Sequence, residues 1–407
     1  MKKVIVGMSG GVDSSVTAFF LKERGFDVEG VSLVLWESRD TSSTCCSTQA
    51  IEEASKNAER LKITHRVIDA RKDFLEKVIK PFVNSYVRGL TPNPCVLCNK
   101  HIKFPILLGE ADKRGALYIA TGHYARVEPE KSIVNNHQSL VKTNNQCPVT
   151  NDQFPDLAPG SNHFLLKKGI EPKKDQSYVL YGLGQEELKR LVLPLGDYRK
   201  DQVRKIAKEL ALPAAMRNES QEICFVQDKN YSKFIESLSG MTGERGSIIH
   251  ISGKVMGTHM GIQGYTVGQR KRLGISSPEP LYVVGIDALN KTVLVGPREA
   301  AKTREFLVKS LNWIVLPEAL LFKEEESVSA FRATVKVRST MKDEPATIYM
   351  ETNPPSPPFA KGGAGGLLIK SARVVFDKPQ WAPAPGQSAV FYDGDTVLGG
   401  GIIKRLN

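Results

Sequence analysis

The chain has 407 residues, 41% of them hydrophobic, and a formal net charge of +12 at neutral pH. That length exceeds a single hydrophobic core, so two or three domains are expected. No apolar run reaches membrane-spanning length, and the opening Met1-Lys-Lys-Val-Ile-Val leaves no room for a signal peptide. A cytoplasmic protein with no membrane partner is expected, and the excess of basic residues favours a polyanionic one. Six unevenly spaced cysteines argue against structural disulfides and for reactive or metal-binding thiols.

The first predicted element sets up the rest. Val4, Ile5 and Val6 form a short β-branched run suited to a buried parallel strand. Gly7, Gly10 and Gly11 then permit a tight turn with close backbone approach. Val16, Phe19, Phe20 and Leu21 give the next segment an apolar helical face, and Gly25 is placed to end it. Strand, glycine loop and helix start make a phosphate cradle, because N–H groups and the positive helix end face one point. Ser9, Asp13, Ser14 and Ser15 add hydroxyls and one carboxylate, more polar chemistry than a structural turn needs. The Gly-x-x-x-x-Gly-Lys-Ser/Thr pattern of kinases and motor ATPases is absent. Ser9-Gly-Gly-Val-Asp-Ser14 instead resembles the PP-loop of ATP pyrophosphatases. That resemblance implies cleavage of ATP between its α and β phosphates, with the AMP half activating a carbonyl oxygen.

Further strands are expected at Val28–Leu35, Thr64–Ile68 and Leu117–Ala120. Between them, Ile51, Ala54, Ala58 and Leu61 mark a helix that Ser47 or Thr48 can cap. Phe74, Val78, Phe82 and Tyr86 mark another, which Pro81 should kink. The alternation predicts an α/β domain with a mostly parallel sheet covered on both faces. Ligands bind such sheets at the carboxyl ends of the strands, where Gly7, Leu33 and Gly122 fall. From Glu128 to about Asn162 the composition turns to Asn, Gln, Ser, Thr and Pro and reads as an exposed insertion. Helices resume at Lys173–Tyr178 and Lys200–Leu210. Beyond Gly243, the runs Ser247–Ile251, Leu281–Ile286 and Thr292–Val295 predict small antiparallel sheets or barrels, and Ala330–Val337, Ala346–Met350 and Ala389–Tyr392 repeat that texture. Asn353–Gly366, dense in proline and glycine, reads as a disordered hairpin insertion.

Cys95 and Cys98 lie in Thr91-Pro-Asn-Pro-Cys-Val-Leu-Cys-Asn-Lys-His-Ile-Lys-Phe104, where a helix is expected from Asn99 onward. A thiol at a helix start near Lys100 and Lys103 gains thiolate character. One Cys-x-x-Cys is half a zinc site, but no second pair at zinc spacing follows. A thioredoxin-like redox pair leaves the ATP loop unexplained. Cys224 stands alone in its own loop, where a small buried hydrophobe is the default reading. Cys45, Cys46 and Cys147 have no comparable context.

Taken together, Gly7–Ser14, Thr91-Pro-Asn-Pro94 with Cys98-Asn-Lys100, Ala120-Thr-Gly-His-Tyr124, Lys174-Asp-Gln-Ser-Tyr178, Ile223-Cys-Phe225, Thr266-Val-Gly-Gln-Arg270 and Pro385-Gly-Gln-Ser-Ala-Val-Phe-Tyr392 closely resemble bacterial tRNA-specific 2-thiouridylases, in order and over nearly the whole chain. The resemblance implies an α/β PP-loop domain over 1–212 (insertion about 129–162), a small central domain over 213–303, and an antiparallel β-barrel over 304–407 (insertion about 353–366). It implies ATP-dependent 2-thiolation of the wobble uridine by a tRNA-uridine 2-sulfurtransferase. Gly7, Met8, Ser9, Gly10, Gly11, Val12, Asp13, Ser14, Leu33 and Gly122 would bind ATP, with Mg2+ expected. Asn93, Pro94 and Cys95 would meet the target base with His123 nearby, while Lys174, Asp175, Gln176, Arg338, Ser339 and Gln387 would contact the tRNA anticodon arm. Cys224 would carry a persulfide from a donor such as a cysteine desulfurase or sulfur-relay protein, and Cys98 would be the nucleophile that ends disulfide-bonded to it.

The chain departs from that pattern at two of these positions. Many relatives have aspartate, a candidate general acid or base, where Cys95 stands, and tyrosine where Ser339 stands. With Cys95 present, an iron–sulfur cluster on Cys95, Cys98 and Cys224 competes with the persulfide relay. Two further readings stay open: another PP-loop ligase or amidotransferase, which needs no paired thiols, and a non-catalytic RNA-binding protein, against which Asp13 and the loop serines argue.

Overall fold

The computed structural model describes residues 1–36, 48–130, 163–216, 223–226, 231–240, 243–317, 330–352 and 369–405. Expectations placed on Cys45, Cys46, Ser47, Cys147, the insertion at about 129–162 beyond residue 130 and the insertion at 353–366 lie outside the described residues, while Glu128 and Pro129, expected in the first insertion, instead end a strand. The chain forms two units. One comprises Met1–Ala70, Lys103–Glu219 and Asp395–Val397; the other comprises Arg71–Ile102, Ser220–Gly394 and Leu398–Asn407.

The first unit is built on a parallel sheet of β1 (Lys3–Gly7), β2 (Asp27–Val34), β3 (Thr64–Asp69), β4 (Tyr118–Ala120) and β7 (Leu191–Val192), in the order β3-β2-β1-β4-β7. An antiparallel ribbon of β5 (Ala125–Pro129) and β6 (Phe164–Lys168) accompanies it. Strand β1 is central, and Val4, Ile5 and Val6 are fully buried, as a β-branched run covered on both faces should be. Val4 and Val6 pack with Val16 and Phe20 of the helix Val12–Glu23, Ala54 and Ala58 of Thr48–Arg60, and Val203 of Lys200–Glu209. The helix Phe104–Lys113 packs against β1 and β4, so the alternate face is covered too. Gly25, at φ +79°, ends the first helix as expected: its N–H reaches the Lys22 carbonyl and that of Phe26 reaches Leu21.

In the second unit the kink expected at Pro81 takes a different form. The helix runs Arg71–Phe74, widens to a π turn over Leu75–Ile79, and resumes at Lys80–Val87. Proline has no N–H to give and its ring crowds the carbonyl four residues back, and a wider turn relieves both. The same device precedes Pro105, where the π turn Asn99–Lys103 leads into Phe104–Lys113.

The unit's central sheet has the order β10-β11-β8-β9, from β8 (Gly246–His250), β9 (Val255–His259), β10 (Tyr282–Asp287) and β11 (Thr292–Gly296). It is not wholly antiparallel as expected: β11 and β8 run parallel, joined through a crossover long enough to allow it. The C-terminal strands β12 (Lys302–Trp313), β13 (Ala330–Lys336), β14 (Glu344–Thr352), β15 (Ile369–Trp381), β16 (Ser388–Asp393) and β17 (Thr396–Lys404) follow the order β12-β15-β14-β13-β16-β17. Strand β12 also pairs with β17, which closes them into an antiparallel barrel. Phe306, Val335, Ile348, Val374 and Phe391 are among the side chains that fill it.

Candidate active site

At the carboxyl end of β1 the loop Met8–Gly11 leads into the helix that starts at Val12. Gly10 sits at φ +75°, and a Cβ there would lie 2.2 Å from the Ala50 carbonyl oxygen, so only glycine fits. Ser32 Oγ donates to the Met8 carbonyl at 2.7 Å and Met8 N–H donates to Val31 at 2.8 Å, which ties the loop to β2. Ser9 N–H donates to Ser14 Oγ, and Ser14 and Ser15 hydroxyls donate to the Gly11 carbonyl. These bonds leave the first-turn N–H groups of the helix directed outward with its positive end, a seat for phosphate. Leu33 is half-buried at the end of β2. Gly122 approaches the helix start so closely that a Cβ would lie 2.8 Å from Asp13 C and Ser14 N.

Asp13 lies at the centre of a polar network. Lys200 Nζ contacts both carboxylate oxygens, at 2.6 and 2.7 Å, and Tyr124 Oη donates to one at 2.8 Å. Gln176 holds Tyr124 from both sides, accepting its N–H through Oε1 and donating its own N–H to the Tyr124 carbonyl. Asp175 accepts from Gly169 N–H, Ser177 N–H and Ser177 Oγ, so its carboxylate fixes the turn that presents Gln176. Lys174 borders a separate cavity. His123 Nδ1 meets Thr121 Oγ1 at 2.6 Å and the ring stacks on Phe104. Burial, aided by the charge of Lys103, pushes its pKa down to about 3, so the imidazole is neutral at physiological pH.

In the second unit, Asn93 caps the helix Pro94–Cys98 by accepting Cys95 N–H at 3.1 Å, with Pro94 in the first turn. This corrects the expected helix start at Asn99: the cap and proline set it earlier, so Cys95 occupies the first turn. Cys95 is exposed and Cys98 is buried. Cys224 sits in a short turn, and Phe225 beside it packs on Phe74 and Phe82. Among the described residues no three His, Cys, Asp or Glu side chains gather as a metal site, so Cys95, Cys98 and Cys224 do not meet as a ligand set.

A cavity of about 370 Å³ brings together pieces of four separate motifs: Thr91 and Pro92, Ile223, Thr266 and Gln269, and Gln387. Tyr86 and Tyr231 stack beside it at 6.0 Å, and burial, reinforced by Tyr231, pushes the Tyr86 hydroxyl pKa up, keeping it a donor. Arg338 donates to the Val267 and Ala382 carbonyls, at 2.8 and 2.9 Å, which fastens the Thr266–Arg270 turn, while Ser339 is exposed.

Comparison with known proteins bears directly on these motifs. Residues 2–228 match the family described as tRNA methyl transferase HUP domain, 232–297 the tRNA methyl transferase PRC-barrel domain, and 368–403 the aminomethyltransferase beta-barrel domain. The chain is 42% identical over 99% of its length to tRNA-specific 2-thiouridylase MnmA 1 of Caldanaerobacter subterraneus subsp. tengcongensis, covering 98% of that protein. It is 40% identical, with the same coverage, to tRNA-specific 2-thiouridylase MnmA of Clostridioides difficile. The chain belongs to the tRNA-specific 2-thiouridylase family. A solved 4-thiouridine synthetase–RNA complex with bound ATP aligns at 17% identity and a TM-score of 0.35, over 59% of this chain and 50% of that one.

Two members of the polar network in this 2-thiouridylase were not singled out from the sequence. Lys200 reads there as the first residue of an amphipathic helix, and Tyr124 as the end of a motif. Nothing local marks either as a partner of Asp13, because they are 187 and 111 residues away from it. The one available signal was a lysine at a helix start, where the dipole disfavours positive charge.

Proposed function

We propose that this chain is an ATP-dependent tRNA-uridine 2-sulfurtransferase that replaces the C2 oxygen of the wobble uridine with sulfur. The observation that carries this reading is the single-carboxylate loop Ser9–Ser14 at the end of β1, with Asp13 engaged by Lys200 and Tyr124. Full-length similarity to named 2-thiouridylases supports the choice of substrate. The loop amides and helix dipole would seat the ATP phosphates. Lys200 supplies positive charge where the departing pyrophosphate carries its negative charge. Magnesium needs only one or two carboxylates besides phosphate oxygens, and Asp13 fits that requirement; when bound it would neutralise phosphate charge.

The uridine C2 oxygen is a poor leaving group. Its attack on the α-phosphorus breaks the α–β anhydride, releases pyrophosphate and makes the oxygen part of an AMP leaving group. The terminal sulfur of a Cys224 persulfide then adds to C2, and AMP departs with that oxygen. Cys98 thiolate attacks the Cys224 sulfur, the S–S bond breaks, and its electron pair leaves on the base as the 2-thio group. A Cys98–Cys224 disulfide remains, so a thiol reductant and a persulfide donor must act before the next turnover. Asn93, Pro94, Cys95, His123, Lys174, Asp175, Gln176, Arg338, Ser339 and Gln387 are assigned to the tRNA, and Asp175 and Gln176 also hold Tyr124 in place. The domain limits near 212 and 303 and a cytoplasmic site of action belong to the same proposal. Among the described residues no helix is long and apolar enough to cross a membrane.

Mass spectrometry of tRNA nucleosides after incubation with ATP, magnesium and a persulfide source tests the reading. 2-Thiouridine is expected from the parent protein and from neither Cys98→Ser nor Cys224→Ser. Full product from Cys98→Ser would instead support a ligase without paired thiols.

A further inference from the structure

Ser32 on β2 and His65 on the edge strand β3 carry no role in the reaction derived above, yet they form one hydrogen-bonded line that ends at the loop after β1. Ser32 is 2% exposed, so its hydroxyl needs partners inside the protein. It has two: its Oγ lies 2.7 Å from the Met8 carbonyl oxygen and 2.8 Å from His65 Nε2. A carbonyl cannot donate, so the single hydroxyl proton goes to Met8. His65 Nε2 must therefore supply the proton of the second bond, which leaves Nδ1 of the neutral ring without one. Burial lowers the His65 pKa, so the neutral ring is the form present at physiological pH. Gly30, the register partner of His65 on β2, leaves the room this line needs. A Cβ there would lie 2.5 Å from Met8 Sδ and 3.4 Å from His65 Cδ2.

We propose that His65 is a positioning residue for ATP: by donating to Ser32 it leaves that hydroxyl the Met8 carbonyl to bond, and so keeps the carbonyl turned toward β2 and away from the phosphate seat. The proposal rests on the ATP reading of the loop. Met8 N–H already donates to Val31, so both backbone groups of Met8 are fixed from β2. A phosphate seat works by presenting N–H groups, and a carbonyl swung into it would set an oxygen against phosphate oxygens. Without the His65 donor, the Ser32 hydroxyl is free to rotate its proton off Met8. The turn that leads to Gly10, at φ +75°, then loses its tether.

The test is the ATP dissociation constant of the full chain with magnesium and no tRNA, measured by isothermal titration calorimetry. His65 is only half-buried, so His65→Leu leaves the core intact. It should raise the ATP Kd about two- to tenfold, the loss of one neutral hydrogen bond, and Ser32→Ala should do the same. Because the two side chains act in one line, the double variant should bind no more weakly than the weaker single variant. His65→Gln, whose side-chain amide places an N–H near the Nε2 position, should restore parental binding. Affinity for tRNA should stay parental throughout. A His65→Leu protein that melts early but keeps the parental ATP Kd makes His65 a packing residue and overturns the proposal. Additive losses in the double variant, a His65→Gln protein as weak as His65→Leu, or an equal loss of tRNA affinity overturn it too. A parent protein that binds no ATP would instead remove the ATP reading itself.

Discussion

Lys200 places an ammonium that is 8% exposed against a carboxylate that is 33% exposed. Removing the lysine strands a charge that water still partly reaches, so Lys200→Met should cost about 1–2 kcal/mol, below the 3–5 kcal/mol of a fully buried pair. Its effect on chemistry should be larger: pyrophosphate release should fall about 100-fold or more, as when one oriented charge-stabilising donor is lost. A pyrophosphate-release assay beside a thermal melt separates the two effects. Tyr124→Phe removes a single hydroxyl from Asp13 and should weaken ATP binding by only about 0.5–1.5 kcal/mol, read as a rise in ATP KM. His123 gives a pH prediction. Its folded-state pKa lies below that of the unfolded chain, so between the two values the unfolded chain binds the extra proton. Stability therefore falls as pH drops below about 6.5, by up to about 1.4 kcal/mol per pH unit for this one group. His65 is shifted in the same direction by burial. The melting temperature should drop between pH 7 and pH 5, and His123→Gln should reduce that drop.

At the scale of the element, Gly122 is a packing residue against the start of the first helix. A methyl group there meets the backbone of Asp13 and Ser14 at 2.8 Å, and backbone has nowhere cheap to go. Gly122→Ala should raise ATP KM and destabilise by about 1–3 kcal/mol, measurable by steady-state kinetics and a thermal melt. Much of the first unit was legible in sequence because its signals are local: β-branched β1, the loop glycines, and Gly25 at the helix end. The π turns were not read, although a trace exists. Phe74, Val78, Phe82 and Tyr86 are all buried at a strict four-residue spacing, which in a pure α-helix would drift by roughly 40° per step. A wider turn absorbs that drift. The spacing from Ile102 to Leu107, both buried, betrays the second π turn in the same way. The Asp13–Lys200 pair, by contrast, left in the sequence only a lysine at a helix start, since the sheet order alone brings β1 and the residues after β7 into one layer.

At the scale of the whole molecule, the charge of +12 predicts tRNA binding that weakens steeply with salt. If six to ten phosphates are neutralised, affinity should fall about 10³–10⁵-fold between 50 and 200 mM salt. Residues Arg71–Ile102 belong with Ser220–Gly394 although the first unit's chain surrounds them in sequence. Phe74 packs on Phe225 and Phe82 on Phe234, each pair separated by roughly 150 residues. On a ribosome adding about 5–20 residues per second, the two earlier phenylalanines wait roughly 8–30 seconds for their partners. During that interval the nascent protein displays an uncovered aromatic helix, which makes it a client for chaperones before it is an enzyme. Translation halted at residue 212 should yield a product that binds a hydrophobic dye and aggregates, and Phe82→Ser in that truncated product should reduce both.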